Sequence, residues 1–269
     1  MEQQIRILAR KFLPAPIRKP LGGLIGLLYY KALRLIAGVF FDCFVRYFRA
    51  DGCVFEFPRN LTSVIFRGGI LMDDYEPEER QFVRNFIRKD DSVLEVGACL
   101  GIVSCVTNKM LRDNTRHVVV EGNPFCIPAI HRNRQINQCG FLVENCALSN
   151  KRDVTFYLHP AYVVGGTTQR QSNRPARVPG RTLEDLDARY GPFSVLIMDI
   201  EGAEWEALET AEEILKQYRL VIIELHDWAI GAEKIEACRG VFRRAGLQLK
   251  QRIDNSAVSA TCVEAWQRD

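Results

Sequence analysis

From about residue 52 the chain alternates short apolar runs with segments whose apolar residues recur at helical spacing. The runs at 92–96, 117–121, 193–199 and 220–226 read as buried strands, and 141–148 and 154–158 as two more. Between them, 102–111, 124–137, 183–190, 203–217 and 232–245 read as helices. Residues 77–88 form a further predicted helix, with Phe82, Val83 and Phe86 on one face. Residues 53–57 and 63–66 read as a small hairpin or capping strands. The stretch 161–179 is rich in Gly, Thr, Gln, Asn, Arg and Pro without periodicity, which predicts a long loop. Two extended segments, 247–253 and 258–266, close the chain around Asp254, Asn255 and Ser256. Strands separated by helices predict a parallel sheet covered on both faces, and the closing hairpin reverses the last strand. The fold class is therefore α/β.

The first 50 residues follow another pattern. Pro14, Pro16 and Pro20 end any helix begun at Glu2. Wound as a helix, residues 21–48 place Lys31, Arg34, Asp42 and Arg46, with Arg49 just beyond, in one sector about 120° wide. Nearly everything else there is apolar. The longest uncharged run, residues 20–30, falls short of the ~20 residues that a spanning helix needs. No convincing signal-peptide cleavage site follows it. The expectation is a basic amphipathic segment over 1–50 that lies on a membrane surface, packs on the main domain or pairs with a second copy. The main domain is expected over 51–269.

Charge sharpens this division. The net charge of +3 hides nine Lys/Arg against two acidic residues in 1–50, a net of +7, which leaves −4 for the rest. Only the N-terminus is basic, and anionic cytosolic lipids would attract it. A nucleic-acid partner for the main domain has no electrostatic support. The composition, 47% hydrophobic and 26% charged, excludes a disordered or coiled-coil chain. Nine cysteines without a C-x-x-C pair predict reduced, buried thiols and a cytoplasmic setting, not a disulfide framework or a zinc site.

Ligands of open α/β sheets bind outside the carboxyl ends of the strands, so the strand ends are the places to search. The first carries Glu95, Gly97, Ala98 and Gly101, a turn that permits close backbone approach. No third glycine stands at dinucleotide spacing. Glu95 would repel a pyrophosphate but suit a cofactor bearing an ammonium and a sulfonium. The second strand ends at Glu121, 20 residues beyond Gly101, where a carboxylate can accept from both ribose hydroxyls of an adenosine. The third ends at Asn145, Cys146, Ala147 and Leu148, which could flank an adenine ring. The fourth carries Asp199, Glu201 and Glu204 around Gly202; the fifth ends at His226. Glu204 also fits a plain helix-cap role. His117, His131 and His159 lie elsewhere and read as structural.

Taken together, these ends resemble the FkbM-like family of S-adenosylmethionine-dependent methyltransferases. The resemblance rests on VLEVGACLG at 93–101, VEGNP at 120–124, a helix ending near Asn133, ALS at 147–149, RTLEDL at 181–186, MDIEGAE at 198–204 and IELH at 223–226. It implies a class I methyltransferase fold, with seven strands. It also implies S-adenosylmethionine bound by Glu95, Gly97, Ala98, Gly101, Glu121, Asn123 and Ala147. The family usually has Asn where Cys99 stands and Pro where Gly122 stands. It is associated with O-methylation of sugars and polyketide-type small molecules.

Methyl transfer to oxygen requires an aligned hydroxyl and removal of its proton. Asp199, Glu201, Glu204 and His226 are the catalytic candidates, with His226 or Asp199 as base and Glu201 and Glu204 as orienting groups. A carboxylate–histidine cluster could also bind Mg²⁺, but no metal-ligand spacing is evident, so no metal site is assigned. Two other readings compete: a catalytically silent, membrane-associated binding module with the same fold, and a nicotinamide-dependent oxidoreductase, which Glu95 and the missing glycine disfavour.

Overall fold

A computed structural model describes residues 24–158, 166–167, 172–254 and 261–269. The expectations for residues 1–23, His159, most of the stretch 159–171 and the closing turn at Asn255 and Ser256 lie outside these residues. The elements are α1 (Leu24–Phe44), β1 (Phe48–Ala50), β2 (Cys53–Phe55), α2 (Val64–Leu71), α3 (Pro77–Phe86), β3 (Val93–Val96), α4 (Ile102–Met110), β4 (His117–Val120), α5 (Ile127–Ile136), β5 (Leu142–Glu144) and β6 (Ala147–Leu148). They continue with β7 (Asp153–Leu158), β8 (Gly166–Thr167), β9 (Pro175–Arg181), α6 (Leu183–Tyr190), β10 (Val195–Met198), α7 (Glu204–Leu208), α8 (Glu212–Leu215), β11 (Leu220–His226), α9 (Asp227–Arg244), β12 (Gln248–Asp254) and β13 (Thr261–Gln267).

The main sheet has the order β12-β13-β11-β10-β3-β4-β5. β13 runs antiparallel to both neighbours, and the remaining pairs are parallel. The reversed strand is therefore the C-terminal one, as its position in a closing hairpin requires. Alternation along each strand feeds two apolar layers. Val93, Val119, Ile197 and Ile222 face one core, with Phe82 of α3 and Cys105 of α4. Leu94, Val120, Met198 and Ile223 face the other, with Leu208 of α7 and Phe242 of α9.

Three local expectations are corrected. The hairpin joins β1 to β2 across Asp51 and Gly52, both at positive φ, and residues 64–66 are helical. An Asp-Gly pair is a two-residue hairpin turn, and Ser63 caps α2 by accepting from the Phe66 N–H. Packing on α1 overrides the β-branched start of α2. The hairpin also spans the expected boundary at 50/51. Second, residues 175–179 belong to β9, which pairs antiparallel with β7 in a small sheet of order β6-β9-β7-β8. Third, the helix expected over 203–217 is two short helices, and α9 is interrupted at Gly231 (φ 77).

Helix α1 reverses the usual orientation of an amphipathic helix. It crosses α2 with backbones in contact: a Cβ on Gly38 would meet the Val64 carbonyl oxygen at 1.9 Å, and one on Gly68 the Arg34 oxygen at 1.8 Å. Two of its three charges, Arg34 and Asp42, turn inward, and Lys31 is exposed. Asp42 accepts from Arg67 at 2.6 and 2.7 Å, and Arg34 and Tyr30 both reach Asp74. The outward face is apolar, with Leu28, Leu35, Ile36, Val39 and Phe44 exposed, Ile36 at 67% and Phe44 at 73%.

Candidate active site

Register brings the strand ends level. Val96 pairs with Val120 and Met198, and Met198 with Ile223. The next residues, Gly97, Glu121, Asp199 and Glu224, therefore stand side by side at the carboxyl edge of the parallel strands. Above them lies a cavity of about 300 Å³, of the order of small ligand pockets. Gly97, Cys99 and Glu121 form one part of its wall, Cys146, Ala147 and Leu148 another, and Asp199 and Glu201 a third. Phe66, Tyr75 and Glu76 close it from the α2–α3 side, and Phe156 from the small sheet.

Gly97 is obligatory here. Its φ is 92°, and a Cβ would stand 1.5 Å from the Asp199 carbonyl oxygen. Cys99 also adopts a left-handed conformation (φ 49), which Asn tolerates better than most residues, so the departure at 99 falls on a strained position. At Gly122 a Cβ would meet the Phe156 ring at 2.8 Å, so β7 occupies the space of a side chain there.

Glu121 turns its carboxylate into the cavity wall. Its two oxygens accept from the Cys99 and Asn123 N–H groups, each at 2.6 Å. Burial raises its pKa to about 7, against the lowering effect of those N–H groups and of Gly122 and Ala98.

Not every expected cofactor residue reaches the cavity. Glu95 is corrected: it is buried against α4, where its carboxylate accepts from the Ser104 hydroxyl and lies 3.2 Å from His117 Nε2. Its place on β3 explains this, because Glu95 shares a face with Val93. Ala98, Gly101 and Asn123 are outside the wall as well. Ala98 is buried, Gly101 starts α4 beneath Ile130, and Asn123 caps the following turn by accepting from the Phe125 N–H.

The catalytic candidates do converge. His226 is buried, with Nδ1 2.7 Å from Glu204 Oε1. Its Nε2 faces Asp199 Oδ1 at 3.6 Å, Glu201 Oε2 at 3.8 Å and Glu224 Oε2 at 4.0 Å. Trp228 packs edge-on against the ring. Glu204 is wholly buried beneath His226 and also accepts from the Gly202 N–H, so it positions the imidazole and does not face the cavity. Burial alone would lower the His226 pKa, but Glu204, Glu224 and Glu201 raise it to about 9. Burial and the carboxylates of Glu224, Glu201, Glu76 and Glu79 push Asp199 well above the usual range.

Three contributors carry no motif of their own or no assigned role: Glu76 and Glu79 from the start of α3, and Glu224. Glu224 shares a strand face with His226, so alternation along IELH was the signal for it. One ligand atom each from Asp199, Glu224 and His226 lies within 4.8 Å of the others. Linear spacing concealed this set, because its members come from two strand ends.

A seven-stranded α/β sheet with one reversed strand, and with an acidic residue ending the strand next to the glycine turn, defines a class I S-adenosylmethionine-dependent methyltransferase. The chain belongs to the FkbM methyltransferase family, since the methyltransferase FkbM domain matches residues 95–249. S-adenosylmethionine is the cofactor that this membership implies. The cavity suits such a group: Gly97 admits it closely, and the acidic wall complements an ammonium and a sulfonium. No curated protein sequence matches the chain. Among solved structures it is similar to a precorrin-6Y C5,15-methyltransferase from Geobacter metallireducens (8% identity, 80% of this chain and 94% of that chain, TM-score 0.47). It is also similar to a methyltransferase from Pyrococcus furiosus (12%, 89% and 98%, TM-score 0.47) and a tRNA (uracil-54, C5)-methyltransferase from Pyrococcus abyssi in complex with S-adenosyl-L-homocysteine (11%, 82% and 44%, TM-score 0.48).

Proposed function

We propose that this methyltransferase modifies a hydroxyl group of a carbohydrate or other small molecule. The observation that carries the reading is the acidic cluster around His226 directly beside the cavity walled by Gly97, Glu121 and Ala147. Glu121 holds the ribose diol, and Cys146, Ala147 and Leu148 flank the adenine. Bound S-adenosylmethionine supplies an electrophilic methyl carbon. Asp199 and His226 orient the acceptor hydroxyl in line with the carbon–sulfur bond, and Glu201 takes its proton as the oxygen–carbon bond forms. Glu204 acts through His226 by fixing its ring.

The protein works at a membrane surface. The exposed apolar face of α1 and the basic excess of residues 1–50 support this, because an interfacial helix needs both features. Transfer of radiolabelled methyl groups into separated carbohydrate and lipid pools tests the acceptor. Label in an alkali-stable ether of a small molecule is the expected result. Cofactor binding with no label in any pool would favour the silent binding module.

A further inference from the structure

We propose that Asp199, Glu224 and His226 form a seat for one divalent cation, which holds the acceptor's hydroxyl oxygen. This deepens the O-methyltransferase reading and rests on it.

The first observation is geometric. The imidazole Nε2 lies 3.6 Å from Asp199 Oδ1 and 4.0 Å from Glu224 Oε2. These separations are too long for hydrogen bonds. All three ligand atoms lie within 4.8 Å of one another, a span that one cation bridges with bonds of about 2.1–2.4 Å. The other ring nitrogen is already engaged by Glu204, which is fully buried and 2.7 Å away. A carboxylate on one imidazole nitrogen fixes the ring and turns the second nitrogen toward the cluster, where a cation would displace its proton, the arrangement that supports metal-binding histidines.

Unsatisfied buried oxygens are the second observation. Asp199 Oδ1 has no hydrogen-bond partner although it is shielded from solvent. Glu79, from a different element, is 5% exposed, and its Oε2 is likewise without a partner. Glu79, Asp199 and Glu224 line one small void on the α3 side of the cluster. Among the described residues no Lys or Arg forms an ion pair with Asp199, Glu224, Glu76 or Glu79. Among the described residues the His226 imidazole is the cation that faces Asp199 and Glu224, and it is shared with Glu201 and Glu204, so the carboxylates outnumber it. A divalent ion resolves that imbalance.

Two carboxylates and one imidazole suit Mn²⁺ or Mg²⁺ with water or a substrate oxygen completing the shell. A hydroxyl placed there is made more acidic by the ion. Its proton passes to Glu201, whose carboxylate is half exposed beside the cluster. The oxygen's electron pair forms the bond to the methyl carbon, and the carbon–sulfur pair stays on sulfur, leaving a neutral thioether.

Mn²⁺ alone, titrated into the full-length protein and followed by electron paramagnetic resonance, tests the seat. One ion per chain with submillimolar affinity is expected, and the bound ion should show coupling to a directly coordinated nitrogen. Asp199→Asn and Glu224→Gln should each weaken binding at least tenfold. Saturable binding that is absent, that lacks nitrogen coupling, or that is unchanged in both variants overturns the proposal. The spectroscopic readout uses unaltered protein, so a variant that fails to fold does not remove the test. S-adenosylhomocysteine binding is measured in parallel. Cofactor binding without Mn²⁺ binding removes the cation and keeps the methyltransferase reading, whereas loss of both removes the two together.

Discussion

The α-carbon of Gly97 lies so near the Asp199 carbonyl that a Cβ on Gly97 would stand 1.5 Å from its oxygen. The glycine turn and the acidic strand end are thus one unit, and the cavity floor depends on their contact. Gly97→Ala adds a clash and a strained φ, and should destabilise the protein by about 2–4 kcal/mol. Thermal melting with and without S-adenosylhomocysteine checks this: the variant should melt earlier and gain little from the ligand.

Glu121 makes stability depend on pH. Its folded pKa of about 7 lies above the ordinary carboxyl value of 4.5. A carboxyl raised on folding contributes stability that is fully present below about 4.5 and lost as pH rises through 7. Between those values the unliganded protein should lose roughly 3 kcal/mol through this group. Melting the wild type and Glu121→Ala from pH 5 to pH 8 measures the loss, which should be much smaller in the variant.

In the proposed reaction Asp199 and His226 serve the acceptor, whereas Glu121 serves the cofactor. Asp199→Asn and His226→Ala should lower turnover by about 10²–10⁴. Their affinity for S-adenosylhomocysteine should stay within a fewfold of wild type. Full turnover in both would remove these residues from the chemistry.

The outward face of α1 predicts membrane attachment that is separable from folding. Ile36→Asp combined with Phe44→Asp should abolish binding to anionic vesicles while the melting temperature holds, because both side chains are exposed. Added salt should weaken wild-type binding by screening the basic residues. Asp42→Ala should act oppositely, lowering stability by removing the partner of buried Arg67. Vesicle binding unchanged in the double variant would refute the attachment.

Strand ends were legible because a level register turns a linear series of motifs into one crevice. Gly97, Glu121 and Asp199 line the cavity at their strand ends, and His226 lies beside it against Asp199. Glu95 did not, although alternation from Val93 already placed it on the α4 face. Phe66, Tyr75, Glu76 and Glu79 were invisible, because nothing in their local pattern records that α2 and α3 fold over the sheet's end. On α1 the charged stripe was legible, but its inward direction was not. That direction depends on Arg67 and Asp74, which lie outside the helix.

The central claim is that the cavity at Gly97 and Glu121 holds S-adenosylmethionine. Calorimetric titration of the full-length protein with S-adenosylhomocysteine, with NAD as the control, tests it most directly. One saturable site for S-adenosylhomocysteine is expected, with no heat from NAD. Glu121→Ala should weaken that site by about 1.5–3 kcal/mol, the scale of hydrogen bonds to a charged group. No binding of S-adenosylhomocysteine, equal binding of NAD, or an affinity unchanged in a folded Glu121→Ala protein would contradict the account.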